Sequence, residues 1–352
     1  MNLGAVEKIA KAVLYEGYML YPYRPSSVKN QQRWNFGVLC PPAYCEAQNG
    51  GESWSMLTEC LVEGDSATQI EVRVRFLQLV ARSVGQLTEP VKDLPGEVPE
   101  FKPVEKLELN GRVYHAWQEA IERDLVLPLY SPSVQAHAHE PFFLDSDKQF
   151  EHLRNASEEI TGVLVRERKP ISGVIELMAE RVEDGLFKIS VLVRNTTPLQ
   201  GATACTRDEA LLSSMASTHA VLGVQNGKFV SQTAPDDRFL AAAASCKNIG
   251  AWPVLVGEEG QHDTVLASPI ILYDYPQIAP ESAGDLFDGT EIDEILSLRI
   301  MTLTDDEKRE MSQSDDRARE MLERTESMPM EQFMKLHGVL RSLRPLKREE
   351  IQ

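Results

Sequence analysis

Apolar residues alternate with polar ones along much of the chain, and this pattern predicts β-strands. Within residues 70–84 the apolar side chains begin at every second position, as in Ile70, Val72 and Val74, with charged residues between them. A period of two is typical of a strand with one buried face and one wet face. Similar patterns predict further strands at 34–39, 54–62, 106–114, 116–129, 171–182, 186–197, 252–256 and 265–273.

Turn sequences separate several of these runs and predict that neighbouring strands form hairpins. Asn110-Gly111 and Asp184-Gly185 are two-residue turn signals between alternating runs. Glu63-Gly64-Asp65-Ser66 predicts a reversal between strands 54–62 and 70–84, and Asn226-Gly227 predicts another within 219–230. Repeated hairpins predict antiparallel β-rich sheets or a sandwich with added helices, which is an α+β fold.

Fewer segments have the spacing of a helix. Thr304 and Glu307 form a capping box, so a helix is predicted from Asp305, and the chain from there to residue 352 is predicted to be a charged, helical C-terminus. Helices are also predicted at 3–14, 207–216, 236–246 and 291–298.

Prolines between residues 88 and 106 are typical of a linker or a long loop. This stretch would separate an N-terminal helix plus β segment from a β-rich α+β core. The predicted divisions are 1–87, 88–106, 107–304 and 305–352, and one composite domain is the alternative.

Charge and composition narrow the functional classes. The 352 residues carry a net charge of -18, which disfavours nucleic acid and anionic membranes as partners. No apolar run approaches the ~20 residues that span a bilayer, and the N-terminal stretch is amphipathic and unlike a secretory signal. Five cysteines at scattered spacing do not form a disulfide framework, so we expect a cytoplasmic protein with reduced thiols.

Cysteines and histidines supply one candidate for chemistry. Cys40 and Cys45, with Cys60 farther along, could ligate zinc or iron, although buried structural thiols are the simpler interpretation. His137 and His139 would share a face of an extended chain and could join a zinc, iron or nickel site, although a polar loop is the simpler interpretation.

No sequence motif for a nucleophile or for nucleotide binding is present. The chain has no G-x-S-x-G elbow, no P-loop and no G-x-G-x-x-G fingerprint. Cys205 and His219 could pair in space, but no local feature predicts their activation. The sequence therefore favours a protein that is not an enzyme, and it predicts no cofactor.

Three segments carry a resemblance to a known family. They are Leu14 to Leu39, Asn248 to Gly257 and Ser268 to Met311. Together they resemble a family of proteins encoded in bacterial nickel–iron (NiFe) hydrogenase gene clusters, notably those of high-affinity, oxygen-tolerant uptake hydrogenases. The resemblance covers most of the chain in similar order and assigns no catalytic residue. It implies a cytoplasmic accessory or maturation protein whose partner is a hydrogenase subunit or another maturation protein.

Loops within these segments are the predicted partner-binding surface, because loops on a rigid scaffold frequently carry binding residues. An acidic protein with aromatic and carboxylate-rich loops could act as a scaffold that holds an immature subunit. The alternatives are a metal-binding enzyme or metallochaperone that uses the cysteines and histidines above, and a structural subunit of a hydrogenase complex. The predicted surface comprises Tyr15, Glu16, Arg24, Lys29, Asn30, Arg33, Trp34, Asp274, Tyr275, Pro276, Glu281, Asp285 and Asp288.

Replacing Arg24 and Asp285 together with alanine tests this surface. We expect the double variant to lose partner binding while its unfolding free energy stays within about 0.5 kcal/mol of wild type, as for surface positions. Pull-down and chemical denaturation measure the two quantities. An unfolded double variant would contradict the prediction, because the residues would then be structural.

Overall fold

The structure is a computed structural model that describes residues 35–93, 100–134, 137–277, 300–314 and 316–327, with 6, 7, 9, 10, 14 and 329. The part of the chain that the structure describes is mostly antiparallel β-sheet with a few short helices. The helix predicted at 291–298 and nearly all of the C-terminus beyond Ser327 lie outside the described residues.

One long strand, β1 (Ser55–Val91), is the axis of the sheet. The other strands are β2 (Phe101–Val104), β3 (Lys106–Leu109), β4 (Arg112–His115), β5 (Trp117–Val126), β6 (His137–Leu144), β7 (Asp147–Arg154), β8 (Ile160–Arg168), β9 (Ile171–Glu183), β10 (Leu186–Asn195), β11 (Ala216–Phe229), β12 (Trp252–Leu255) and β13 (Thr264–Ser268).

Successive parts of β1 have different partners, and every pairing is antiparallel. The strand pairs first with β10, then with β11 and β5, and finally with β2 and β8. The longest path through the sheet is β12-β13-β11-β1-β10-β9-β6, and β7 continues the sheet beyond β8. β3 and β4 form a separate two-stranded sheet.

The predicted reversal at 63–66 is wrong, because β1 continues through it. Gly64 pairs with Gly227 of β11, and a register shift lies between Gly64 and Gln69. A Cβ on Gly227 would lie 2.7 Å from the carbonyl oxygen of Glu63, so the two backbones approach closely here. Both turn-like sequences therefore mark a bulge between paired strands, and the hairpin predicted at Asn226-Gly227 is wrong for the same reason.

Two other predicted hairpin turns are confirmed. Asn110-Gly111 joins β3 to β4, and Asp184-Gly185 joins β9 to β10. Asn110 and Gly111 both have positive φ angles, 52° and 74°, as a tight hairpin turn of this type requires. Such turns are encoded by neighbouring residues alone, so sequence patterns find them.

The main core lies on the inner face of the sheet. Val72, Val74 and Phe76 of β1 belong to the same buried cluster as Ile175 of β9 and Leu222 of β11. Because β9 and β6 pack against β1 through this cluster, the sheet folds over onto itself. The apolar residues that the alternation places on one face of 70–76 are buried as predicted, but the prediction of a wet opposite face is wrong, because Arg75 and Gln78 are buried as well.

Short helices and the ends of the chain cover the outer face. Leu14, Leu77 and Leu322 share one buried cluster there, and Val6, Ile9 and Leu266 share another. The helices are α1 (Pro42–Ala47), α2 (Arg207–Leu211), α3 (Leu240–Ala244), α4 (Asp305–Ser314) and α5 (Asp316–Ser327), with a 3₁₀ turn at Asp237–Phe239 before α3.

The capping box before α4 is confirmed. The Thr304 backbone N–H donates to Glu307 Oε2 at 2.8 Å, and the Glu307 N–H donates to Thr304 Oγ1 at 3.3 Å. Thr206 and Glu209 form the same reciprocal motif before α2. Each box satisfies amide donors that have no partner inside the helix, which fixes where the helix begins.

Two strand predictions fail at their ends. In 35–39, the described part of the strand predicted at 34–39, the chain forms isolated bridges at Leu39, with Met215 and Ser53, and no longer strand. β13 ends at Ser268, and the predicted continuation to residue 273 is wrong. The predicted linker begins late, since β1 extends to Val91, and β2 occupies 101–104. The division of the chain into segments stays a prediction.

The structure bears on the prediction that no apolar run spans a bilayer only through its helices. In the part of the chain that the structure describes, no helix combines the length and apolarity needed to cross a bilayer.

A buried amide ties three separate segments together. Asn195 is fully buried, and its Nδ2 donates to the carbonyl oxygens of Leu39 at 2.8 Å and Ser213 at 3.0 Å. Its Oδ1 accepts from the Thr197 backbone N–H at 2.8 Å. These bonds attach the chain before α1 and the chain after α2 to the end of β10.

Asn195→Ala should therefore destabilise the protein by about 2 to 3 kcal/mol, because it leaves buried backbone groups without partners. Urea denaturation measures the change. Gln225→Ala, which removes an exposed amide on β11, is the matched control and should change stability by less than about 0.5 kcal/mol. A loss below about 1 kcal/mol in Asn195→Ala would contradict the structural role of this amide.

Candidate functional site

Parts of the three resemblance segments converge beside β12, the last strand at one end of the described sheet. β12 pairs with β13, and Trp252 lies opposite Ser268. Gly37 lies against Pro269, since a Cβ on Gly37 would be 2.7 Å from the proline Cβ. Residues 36–39, 248–257 and 268–277, which are distant in sequence, therefore meet at one edge of the fold.

Asp274 holds this region in place. Its Oδ2 accepts hydrogen bonds from Ser231 Oγ at 2.5 Å and Thr233 Oγ1 at 2.7 Å, and its Oδ1 accepts from the Leu255 backbone N–H at 2.8 Å. All three donors are internal to the chain. Asp274 therefore anchors the segment after β13 to the end of β12, and it is not a free carboxylate for a partner.

Tyr275 has a similar anchoring role. Its backbone N–H donates to the Leu255 carbonyl at 2.7 Å and its hydroxyl donates to the Gln261 carbonyl at 3.0 Å. Its φ angle is 56°, an uncommon conformation for a tyrosine that these contacts hold in place. Pro276 follows and is partly buried.

The residues just before this anchor are the exposed ones. Leu272 packs on the buried cluster that contains Val6 and Ile9, whereas Ile271 and Tyr273 on either side are 74% and 87% exposed. Trp252 and Phe36, at neighbouring positions of the same edge, are also exposed. We call Phe36, Trp252, Ile271 and Tyr273 the edge surface. Large apolar side chains held outward in this way are typical of contact surfaces with other proteins.

The other residues of the predicted surface cannot be placed on this edge. Tyr15, Glu16, Arg24, Lys29, Asn30, Arg33, Trp34, Glu281, Asp285 and Asp288 lie outside the described residues. Ile271 and Tyr273 were missed because the apolar run 269–273 is typical of a buried strand, and only the end of β13 at Ser268 exposes them.

The cysteines occupy two different environments. Cys40 and Cys45 lie on the outer face beside α1, and Cys60 lies in the inner core. Burial raises the pKa of Cys40 to about 12, with a hydrogen bond to Ser214 opposing it in part, and burial also raises the pKa of Cys45 and Cys60. Burial therefore favours the protonated thiol at these positions as long as no metal ion is bound.

The histidines are far less buried. His137 and His139 are exposed on the same face of β6, as expected for an extended chain, so the simpler interpretation of a polar loop is wrong. His139 Nδ1 lies 3.2 Å from Glu176 Oε1, and Arg194 Nη2 lies 2.5 Å from the same oxygen. The carboxylate that could complete a site is therefore already paired with an arginine.

Among the residues that the structure describes, no group of three or more histidine, cysteine or acidic side chains is arranged to hold a metal ion. The metal alternative stays a prediction, and it would need ligands from other parts of the chain or from a partner.

An arginine-rich patch on the inner face was not predicted. Arg82 and Arg166 both pair with Glu119, at 2.9 and 2.8 Å, and Arg166 also pairs with Glu151 at 2.7 Å. Arg168 and Arg123 lie on the same side of β8 and β5. The R-E-R sequence at 166–168 was the available signal, because residues two apart in a strand share a face.

A buried histidine lies where β1 and β11 meet. His219 is fully buried, and its Nδ1 lies 2.9 Å from the Ser217 carbonyl oxygen. Arg75 is opposite it on β1 and pairs with Glu7 at 3.2 Å and Glu122 at 3.7 Å. Burial lowers the pKa of His219 to about 4; Arg75 adds to this, and the Ser217 carbonyl opposes it. Cys205, by contrast, lies beside α2 in the outer cluster.

No protein-family model matches this chain, and no curated protein is significantly similar to it in sequence.

The buried His219 predicts a specific pH dependence. The folded-state pKa of about 4 lies below the ordinary 6.5, so the unfolded chain binds the proton more readily between these values. We expect His219 to cost about 3 kcal/mol of stability as the pH falls from 6.5 to 4. Above pH 6.5 this loss of stability is absent, because His219 is then mostly neutral in both the folded and the unfolded protein.

Urea denaturation from pH 7.5 to pH 4 would measure this effect in the wild type and in His219→Asn. The asparagine keeps a donor near the Ser217 carbonyl but does not titrate in this range. The difference in stability between the two proteins should therefore shrink or reverse toward acid pH. A difference that stays constant across the range would contradict the prediction.

Proposed function

We propose that this protein is a cytoplasmic accessory factor that binds another polypeptide and acts as a maturation or assembly scaffold for a NiFe hydrogenase. The edge surface is the observation that carries the binding role. It presents Ile271 and Tyr273 to solvent on a segment that hydrogen bonds fix on both sides, so the two side chains need little ordering when a partner binds.

The contacts that fix the backbone on either side of Ile271 and Tyr273 support a role of these residues in partner binding. Leu272 points into the protein and Asp274 is held by three hydrogen bonds, so Ile271 and Tyr273 are displayed at fixed positions. Trp252 adds a large aromatic group at the adjacent edge strand. Aromatic and aliphatic anchors of this kind dominate the binding energy of protein interfaces.

The hydrogenase setting rests on the sequence resemblance. Described parts of the three segments that carry it meet at the edge surface, which is why we assign partner binding to that edge. An immature subunit exposes apolar surface before its metal centre is complete, and an apolar edge on an acidic protein suits such a partner.

A tagged pull-down from cells that express the hydrogenase tests the proposal. We expect the wild-type protein to recover the unprocessed large subunit, as quantified by mass spectrometry. The double variant Ile271→Ser/Tyr273→Ser should recover at least about tenfold less, because two interface anchors are lost.

Val126→Ser/Leu129→Ser is the matched control, since both side chains are 56% exposed but lie at the end of β5 and just after it, away from the edge surface. It should recover as much subunit as the wild type. Equal recovery by the Ile271/Tyr273 variant would contradict the assignment of the interface. Recovery of mature complex alone would favour a structural subunit, and recovery of no hydrogenase protein would contradict the hydrogenase setting.

A further inference from the structure

A buried glutamine positions one arginine of the inner-face patch. Gln78 is fully buried on β1, and its Nε2 donates to the Lys169 carbonyl at 2.9 Å. Its Oε1 accepts from Arg123 Nε at 2.9 Å and from Arg123 Nη2 at 2.6 Å. One side of the guanidinium is thus fixed by a neutral acceptor, which leaves its positive charge uncancelled.

Arg123 has no carboxylate partner among the described residues. The opposite end of its guanidinium, formed by Nη1 and the second hydrogen of Nη2, has no acceptor there either. Burial, together with repulsion from the nearby Arg168, lowers the pKa of Arg123. The guanidinium groups of Arg123 and Arg168 are therefore close enough to repel each other, and both are partly buried.

Arg168 has one acidic partner among the residues that the structure describes. Its Nη2 lies 3.2 Å from Asp147 Oδ2, and its Nε is buried without a hydrogen-bond partner within the part of the chain that the structure describes. Within the described ranges, ion pairs join Arg82, Arg166 and Arg168 to Glu119, Glu151 and Asp147, and Arg123 takes part in none of them. The charge of Arg123 is thus not cancelled by these pairs, on a protein whose net charge is -18.

We propose that Arg123 and Arg168 form a binding site for an oxyanion, either a carboxylate or a phosphate. The fork of the Arg123 guanidinium matches two oxygens of such a group, and the free Nε of Arg168 is a further donor. A bound anion would also relieve the repulsion between the two arginines. This site is independent of the edge surface and of the proposed hydrogenase partner.

Gln78 is what distinguishes this arrangement from an ordinary surface ion pair. A glutamate at position 78 would hold Arg123 equally well but would neutralise it. The neutral amide instead aims the guanidinium while it keeps the charge available, at the expense of burying a polar side chain whose hydrogen bonds must all be made internally.

Calorimetric titration with inorganic phosphate and, separately, with acetate tests the proposal. Chloride keeps the ionic strength constant, so that general screening is the same in every sample. We expect one or both anions to bind the wild-type protein. Arg123→Gln should bind at least about tenfold more weakly, because a charge-assisted, two-point contact is lost.

Gln78→Glu is the second variant, since it keeps the hydrogen bonds to Arg123 but cancels its charge, and it should weaken binding to a similar extent. Arg181→Gln is the matched control, because Arg181 is an exposed arginine outside the patch that pairs with Asp184. It should bind as the wild type does, and circular dichroism checks that every variant is folded.

The pattern of binding decides between the two sources of the oxyanion. Tighter binding of phosphate identifies a phosphate site, and tighter binding of acetate identifies a carboxylate site; both support the proposal. The proposal would be overturned if neither anion bound the wild type. It would also be overturned if wild type, Arg123→Gln and Gln78→Glu bound the anions equally.

Discussion

The backbone hydrogen bonding of β1 is the constraint on which the rest of the structure depends. A strand from Ser55 to Val91 exposes donors and acceptors along both sides, and each of them must be paired or solvated. The protein meets this requirement with a succession of partners, β10, β11, β5, β2 and β8, each of which covers part of its length. Because all of these partners attach to one strand, its path sets the position of both the edge surface and the arginine patch.

Close backbone contact between strands explains the glycines along this path. Gly64 also donates its N–H to the carbonyl of Gly185, in the turn between β9 and β10, at 2.9 Å. The bulge of β1 and β11 and the tip of the β9–β10 hairpin thus meet at three glycines. A side chain at Gly227 would press on the Glu63 carbonyl and one at Gly64 would press on Thr68, whereas Gly185 supplies a positive φ of 73° for the turn. This junction allows β1 to change partners without a chain reversal.

Buried or partly buried polar side chains join segments distant in sequence at three places. Asn195 joins the chains around α1 and α2 to β10, Asp274 joins the region after β13 to β12, and Gln78 joins Arg123 to the chain after β8. In each case the polar group is satisfied by contacts within the chain, and it fixes a neighbouring residue in position. At the edge surface the fixed neighbours are apolar and exposed, whereas in the inner patch the fixed neighbour is a cation without a carboxylate partner.

Sequence patterns determined the features that depend on neighbouring residues. The buried apolar face of 70–76, the turns at Asn110-Gly111 and Asp184-Gly185, and the capping box at Thr304 all follow from local sterics and hydrogen bonds, and so does the β-rich class. The continuity of β1 could not be predicted, since Gly64 and Gly227 are turn residues that become a bulge only when the two strands pair.

The candidate sites show the same division. Sequence resemblance indicated the segments around Asp274, but only tertiary contacts turned Asp274 inward and left Ile271 and Tyr273 exposed. Arg123, Arg168 and Gln78 are ordinary strand residues in the sequence; their proximity comes from the pairing of β5 and β8 with opposite sides of β1, a long-range property that no local pattern encodes.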